Sequence, residues 1–109
     1  MTFAEKSVDG VLNGTTVVDI VPVPASLHTS VVRNVTVHNP DTVACTVTLY
    51  LNNNATLRKL VKQTLAPDQS LVYEVIQVLD ATTKKIQAVL GAAHTTTAPS
   101  FVANFGDVS

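Results

Sequence analysis

Four side chains have the chemistry of metal ligands or catalytic nucleophiles: His28, His38, His94 and Cys45. Metal sites and catalytic pairs often place such residues in short motifs such as HxH, CxxC or HExxH. None of the three histidines has a second ligand type at such a spacing. Cys45 lies in a segment with strand periodicity, which is typical of a small core residue, and a single cysteine forms no intrachain disulfide. The sequence therefore predicts no metal site and no cysteine nucleophile.

The carboxylates and glycines give the same indication. Asp41, Asp68 and Asp80 each lie in a separate turn-like segment, where Asp stabilises the local backbone. The chain has four glycines, and they form no phosphate-binding loop, GxGxxG motif or nucleophile elbow. We therefore expect a protein that is not an enzyme, with no catalytic residues and no cofactor.

The composition limits the class of protein. The chain has 109 residues, of which 46% are hydrophobic, enough for one packed domain. With a net charge of −1, the chain lacks the excess of basic residues that nucleic-acid-binding proteins use to contact phosphates. No stretch approaches the roughly 18 apolar residues of a membrane span, and the N-terminus lacks the apolar run of a signal peptide. We expect a domain that is made in a reducing compartment and contacts neither nucleic acid nor membrane.

The surface composition predicts assembly. Charged residues make up only 14% of the chain, and Val and Thr, which favour strands, are abundant. Unpaired strand edges on a weakly charged surface recruit partners, so such a surface suits a subunit whose edges are covered. The clustered basic residues are interpreted as protection of strand edges; they are Arg58, Lys59, Lys62, Lys84 and Lys85. The sequence therefore predicts a homo-oligomer or a particle subunit.

The most regular β-type pattern spans residues 30–51. Apolar and polar residues alternate there on two arms, which places one set of side chains on a buried face. Between the arms lies an Asn-Pro-Asp-Thr sequence at residues 39–42, a combination that favours a turn. This pattern predicts a β-hairpin with five residues on one buried face: Val35, Val37, Val47, Leu49 and Leu51.

The remaining chain shows turn signals about every ten residues, as expected of a β-sandwich. We predict an all-β fold, an antiparallel β-sandwich of Ig-like or jelly-roll type, with about seven to eight strands over residues 15–109. Thr56 to Leu65 fits both a helical face and a strand, and the all-β context favours the strand. Ser70 to Ile76 is predicted as one strand, and Gly106 as the beginning of a tail.

Residues 1–14 differ from the rest of the chain. They contain four apolar residues without a two-residue period, namely Phe3, Val8, Val11 and Leu12. Apolar side chains outside a core require cover, and another chain can provide it. We predict an N-terminal arm that leaves the sandwich and uses these four residues as an interface. The alternative is that Val11 and Leu12 pack under the same sandwich as a short extra edge.

Five segments follow one another in a recognisable order: Val21-Pro22, Val32 to Asn39, Thr46 to Leu51, Pro67 to Val75 and Leu79 to Val89. The first is a strand that ends near proline, the second a V-x-x-V-x-V-x-N strand, and the third a T-V-T-L-Y-L strand. The fourth is a proline-bearing turn with an apolar strand. The fifth is a leucine followed by a small turn and K-I-Q. This order resembles a widespread group of small β-sandwich virion proteins of tailed bacteriophages, over about residues 15–105.

The resemblance implies a structural role in a phage virion that is made in the cytoplasm of the host bacterium. Members of this group are head decoration or cement subunits, neck or collar components, or parts of tail attachment. The implied partners are the protein itself and other virion proteins, such as the major capsid, neck or tail proteins. The alternative is a carbohydrate-binding or host-surface-binding sandwich module, for which Tyr50 and Tyr73 would be the available aromatic residues.

Overall fold

The computed structural model describes residues 2–109, which form nine β-strands in two antiparallel sheets. The strands are β1 Phe3–Val11, β2 Val18–Val21, β3 Thr29–His38, β4 Cys45–Asn53, β5 Thr56–Leu65, β6 Ser70–Tyr73, β7 Gln77–Leu79, β8 Lys84–Leu90 and β9 Ser100–Val108. The first sheet has the order β1-β9-β3-β6, with β7 also paired to β3, and the second has the order β2-β8-β4-β5. The predicted all-β antiparallel sandwich is confirmed, with nine strands instead of seven or eight.

The core lies between the inner faces of the two sheets. Along β3 and β4 its buried residues alternate with polar ones, as period two requires, whereas the buried Ile20 and Val21 of β2 are consecutive. Val35 and Val37 come from the first sheet, and Val47 and Leu49 from the second; each is at most 1% exposed. Leu51 is half-buried and packs against this core. The predicted burial is therefore confirmed for the first four residues, but they lie on two opposing faces and not on one.

The predicted hairpin is wrong, because β3 and β4 belong to different sheets. The connection between them crosses the edge of the sandwich, so the two buried faces oppose each other across the core. Asn39, which is fully buried, holds this corner. Its side-chain amide donates to the carbonyls of Val43 at 3.0 Å and Leu65 at 3.1 Å, and its side-chain oxygen accepts from the backbone N–H of Asp41 at 3.1 Å. These bonds replace the tight turn that the residue types suggested.

The predicted arm that leaves the sandwich is also wrong for the described residues. Strand β1 pairs with β9 along its whole length, from Phe3 opposite Val108 to Val11 opposite Ser100. Leu12 follows as a core residue with 1% exposure. The sandwich therefore begins before residue 15: an edge strand of nine residues is present, and of the two residues in the alternative, Leu12 packs in the core whereas Val11 is 59% exposed. Met1, the first residue of the predicted arm, lies outside the described residues.

Two glycines allow β1 and β9 to pack closely. A Cβ atom on Gly10 would lie 2.9 Å from Cζ of the buried Phe101 ring, and one on Gly106 would lie 2.7 Å from Cε2 of Phe3. Each glycine therefore provides the space that an aromatic ring from the neighbouring strand occupies. Gly106 belongs to β9, not to a tail as predicted.

The other ambiguous segments are resolved by their pairing. Thr56–Leu65 forms strand β5, which pairs with β4 from Asn53 to Cys45, so the strand prediction is confirmed. The predicted strand Ser70 to Ile76 ends at Tyr73, and pairing with β3 resumes only at Gln77. Among residues 2–109 there is no helix long and apolar enough to cross a membrane.

Candidate functional site

Three of the four sheet edges carry features that discourage pairing with another chain. Strand β2 has only four residues and is followed by Pro22 and Pro24. Strand β5 carries Arg58, Lys59 and Lys62, and its register with β4 shifts, as at a β-bulge. The edge formed by β6 and β7 is interrupted at residues 74–76. Short strands, prolines, lysines and bulges are the usual means of protecting an edge.

Strand β1 differs from these edges in its regularity, although it too carries charged residues, Glu5, Lys6 and Asp9. It has nine residues, its register with β9 shows no shift, and it contains no proline. Within residues 2–109 it pairs with β9 alone. Its outer edge is therefore long, regular and open to another strand, which is the geometry that strand addition requires.

The hydrogen bonds at the two ends of β1 show which of its backbone groups point toward β9 and which point away from it. Thr2 and Ser109 exchange both of their backbone hydrogen bonds, at 3.1 and 2.9 Å, and Leu12 N donates to Pro99 O at 2.8 Å. Because bonded pairs alternate in an antiparallel ladder, the even-numbered residues of β1 bond to β9. The N–H and C=O groups of the odd-numbered residues point away from β9; these residues are Phe3, Glu5, Ser7, Asp9 and Val11.

The side chains of the same odd-numbered residues continue an exposed face of the first sheet. This face carries five apolar residues that are about half exposed, namely Phe3, Val11, Val72, Val78 and Val102. Val75 and Ile76, at 58% and 60% exposure, add to them in the break between β6 and β7. We call this set the apolar outer face. Val72 and Val102 lie on either side of Thr36, and Phe3 and Val11 lie at opposite ends of β1, so the set is spread over one face of the sheet.

Phe3 is positioned by its neighbours as well as exposed. Its ring lies over Gly106, and the Arg33 guanidinium lies 5.7 Å from the ring centroid. Arg33 donates to the Glu5 carboxylate through Nη2 at 2.8 Å and Nε at 3.3 Å. The bidentate ion pair and the cation–π contact hold these three side chains as one group at the start of β1.

The structure separates the four predicted interface residues. Phe3 and Val11 lie on the exposed face at the two ends of β1, with 51% and 59% exposure. Val8 is half-buried and packs against the core, and Leu12 is buried within it. Leu12 therefore presents no side chain to a partner in this fold. Contact of Phe3, Val8 and Val11 with another chain stays a prediction.

Sequence reasoning missed other members of the apolar outer face, among them Val72 and Val102. Their positions are encoded in the strand alternation, since Val72 follows the buried Leu71 and Val102 follows the buried Phe101. Assigning residues of each strand to the inner and outer faces would have identified them.

Asp41, interpreted from the sequence as a turn residue, is a buried anchor. Its carboxylate accepts hydrogen bonds from Thr96 Oγ1 at 2.6 Å, Thr95 N at 2.7 Å and Thr96 N at 3.0 Å. The backbone N–H of Thr42 adds a bond at 2.8 Å. The bonds from Thr96 and Thr95 are the main reason that the pKa of this carboxyl lies far below its usual range. Asp41 thus holds the loop between β8 and β9 against the corner between β3 and β4.

Replacing Asp41 with Asn is expected to lower the melting temperature at pH 7 by several degrees. The Asn amide would point donors at groups that are themselves donors. Since the folded-state pKa is depressed, the contribution of Asp41 is fully present above the unfolded pKa of about 4 and is lost as pH falls below it. Thermal unfolding of both proteins between pH 7 and pH 2 should show a deficit that shrinks below about pH 4. A deficit independent of pH would contradict this role.

The histidines take part in separate local contacts. His28 Nδ1 lies 2.8 Å from Asp107 Oδ1, and His38 Nδ1 lies 2.8 Å from Ser70 Oγ. The hydrogen bond from His28 is the main cause of a lowered pKa at Asp107. His94 is exposed in the loop before β9. No group of three His, Cys, Asp or Glu residues among the described ones has the arrangement of a metal site.

Cys45 and the two tyrosines are partly buried. Cys45 borders a groove of about 300 Å³, but burial raises the pKa of its thiol, which lowers the fraction of reactive thiolate. Tyr73 packs against the core, and its phenol oxygen accepts from Gln77 Nε2 at 3.0 Å. Tyr50 is half-buried on β4. Neither tyrosine has the fully exposed ring of a sugar-stacking platform.

The fold occurs in several solved structures. A chain of the capsid of Helicobacter pylori bacteriophage KHP30 matches with a TM-score of 0.62 and 14% identity, covering 100% of this chain and 89% of that one. A chain of Bacillus endospore appendages, described as disulfide-linked pili, matches with a TM-score of 0.57 and 13% identity, covering 99% and 87%. A chain of the virus-like particle of extra small virus, from the giant freshwater prawn Macrobrachium rosenbergii, gives 0.51 and 10%, covering 100% and 81%.

These similarities concern the fold. No protein-family model matches the sequence, and no curated protein matches it. The structural neighbours nevertheless include capsid and pilus chains, and each covers at least 99% of this chain. The fold of this sandwich therefore also occurs in chains of two viral particles and of a bacterial appendage.

Proposed function

We propose that this protein is a structural subunit of a phage virion that acts by protein–protein assembly and not by catalysis. The observation that carries the proposal is the contrast among the sheet edges. Two edges are short or interrupted and the register of β5 shifts, whereas β1, although it carries Glu5, Lys6 and Asp9, presents nine regularly paired residues with an open outer edge. A protein that functions alone gains from protecting every long edge, and a subunit leaves open the edge that it uses.

The apolar outer face supports the same role. It extends from β1 across the first sheet, and its valines and Phe3 are about half exposed. No residue of this face is charged, although Glu5, Lys6 and Asp9 lie on the adjoining strand β1. Specific interfaces bury about 1,000 Å² or more. An edge strand together with part of this face can supply such an area.

The virion assignment is supported by the likeness to chains from two viral particles and by the order of strands and turns described for the sequence. Within a virion we propose a decoration or cement subunit of the head, or a neck or tail-attachment subunit. The proposed partners are copies of the protein itself and the major capsid, neck or tail proteins. The mechanism is mechanical: a rigid sandwich with few exposed charges buries its edge and outer face against neighbours.

Particles purified from a lysate of the host culture test this proposal. Mass spectrometry of washed particles should detect the chain at a fixed ratio to the major capsid protein, and antibody labelling in electron micrographs should place it on the head, neck or tail. A chain found only in the soluble fraction of the lysate would overturn the proposal. Because the particles and the soluble fraction come from one lysate, detection of the chain in either fraction shows that it was expressed.

A further inference from the structure

We propose that two copies of this protein pair through β1 to form an antiparallel strand pair, with Ser7 on the two-fold axis. The inference rests on the proposed function, since it names the contact through which the subunit assembles with itself. It specifies the edge, the partner and the register. The partner is a second copy because β1 is complementary to itself.

The backbone of β1 provides the first half of the argument. Five residues direct an N–H and a C=O away from β9, and all are odd-numbered. A two-fold axis perpendicular to the sheet reverses the strand direction and keeps the same face outward. Odd-numbered residues of one copy therefore oppose odd-numbered residues of the other, and the outward groups of both copies meet. With Ser7 on the axis, up to about ten backbone hydrogen bonds form.

The side chains select this register among its neighbours. With Ser7 on the axis, Phe3 of each copy opposes Val11 of the other, so the two exposed apolar residues of β1 cover each other twice. With Lys6 on the axis, two lysines oppose each other and Phe3 opposes Asp9. With Val8 on the axis, Phe3 opposes Asn13, which lies beyond the end of β1. The Ser7 register alone pairs all nine residues of β1.

One kind of contact in this register is unfavourable by itself, and the two-fold axis repeats it. Glu5 of one copy opposes Asp9 of the other, and like charges directly opposite destabilise a strand pair. The Arg33 guanidinium already binds Glu5 at 2.8 Å, so its positive charge lies beside the pair and offsets the repulsion. Ser7 is small, which leaves space where the two strands cross the axis.

Disulfide trapping tests the register. In a Cys45→Ser background, Ser7→Cys places two thiols on opposing residues whose Cα atoms are about 5.5 Å apart, within the range that a disulfide spans. Oxidised glutathione should convert most of this variant to a covalent dimer, the glutathione being reduced. The matched control is Asp9→Cys in the same background. In this register the Asp9 positions of the two copies lie four residues apart along the strand, about 13 Å, which is too far for a disulfide. Equal cross-linking of both variants, or none of Ser7→Cys, would overturn the proposal.

Blocking the edge gives a second, independent readout. Ser7→Pro removes an N–H that faces away from β9, so it leaves the β1–β9 bonds in place, as proline on an edge strand does. Ser7→Thr keeps the N–H and is its control. Analytical ultracentrifugation should find dimers for the wild type and Ser7→Thr, and at least about tenfold weaker association for Ser7→Pro. Equal association of all three proteins would overturn the proposal. If Ser7→Pro does not fold, the disulfide trapping of Ser7→Cys decides whether the β1 pairing is correct.

The outcomes separate this inference from the proposed function. If the chain is present in particles but Ser7→Pro is incorporated and associates normally, the subunit role stands and the β1 pairing is wrong. If the dimer forms as described but the chain is absent from particles, the pairing stands and the virion role is wrong.

Discussion

A variant that lacks residues 1–12 is expected to unfold at least about 10 °C below the full chain. The deletion removes β1, which pairs with β9 along nine residues, and Leu12, which is 1% exposed. Truncating a buried Leu to Ala alone costs about 2–5 kcal/mol, and each 1 kcal/mol shifts the melting temperature of a domain this size by about 4–8 °C. The deletion would also expose the Phe101 ring that now packs over Gly10. Circular dichroism during thermal unfolding measures the shift.

Single substitutions at adjacent positions separate the core contribution from the edge contribution. Leu12→Ala should lower the free energy of unfolding by about 2–5 kcal/mol, whereas Val11→Ala, at a residue 59% exposed, should change it by less than about 0.5 kcal/mol. A deletion variant with the melting temperature of the full chain would mean that residues 1–12 do not belong to the sandwich. In that case the arm predicted from composition would be the correct description.

Local periodicity was sufficient to predict which residues face the core. Val35, Val37, Val47 and Leu49 alternate with polar neighbours, and the alternation places them correctly because it depends only on strand geometry. It contains no information on which strand lies alongside. Two strands in one hairpin and two strands facing each other across a core give the same pattern, and here the corner held by Asn39 selects the second arrangement.

Non-local partners account for the features that could not be predicted. The edge strand β1 is exposed over most of its length, so its residues show no buried period and resemble an arm. It is a strand because β9, from the other end of the chain, pairs with it. Asp41 is likewise separated by more than fifty positions from Thr95 and Thr96, the donors that bind it. Its residue type suggested a turn, and the function as an anchor depends on a loop far away in sequence.

The candidate surface was predictable in part for the same reason. Phe3 and Val11 were identified because exposed apolar residues in a short segment are visible in the sequence. The open edge that joins them was not, since it depends on which groups β9 leaves unpaired. The contrast with β5 also required the structure, because the lysines there protect an edge only once that strand is known to be outermost.

Leu49→Ala is expected to lower the free energy of unfolding by about 2–5 kcal/mol, because the Leu49 side chain is fully buried in the middle of β4. Strands β5 and β8 flank it in the second sheet, opposite Val61 and Ala88. A cavity there cannot be filled without moving paired backbone, which favours the upper part of that range.

The matched control is Leu57→Ala on the neighbouring strand β5, where the same atoms are removed from a residue 47% exposed. Its effect should stay below about 1 kcal/mol, since little close-packed surface is lost. Urea unfolding of both variants at one pH measures the difference. Equal losses would mean that the inner and outer faces of the second sheet are assigned wrongly. A large loss at Leu49 alone would confirm that the core, and not the exposed surface of the sheet, determines the stability of the sandwich.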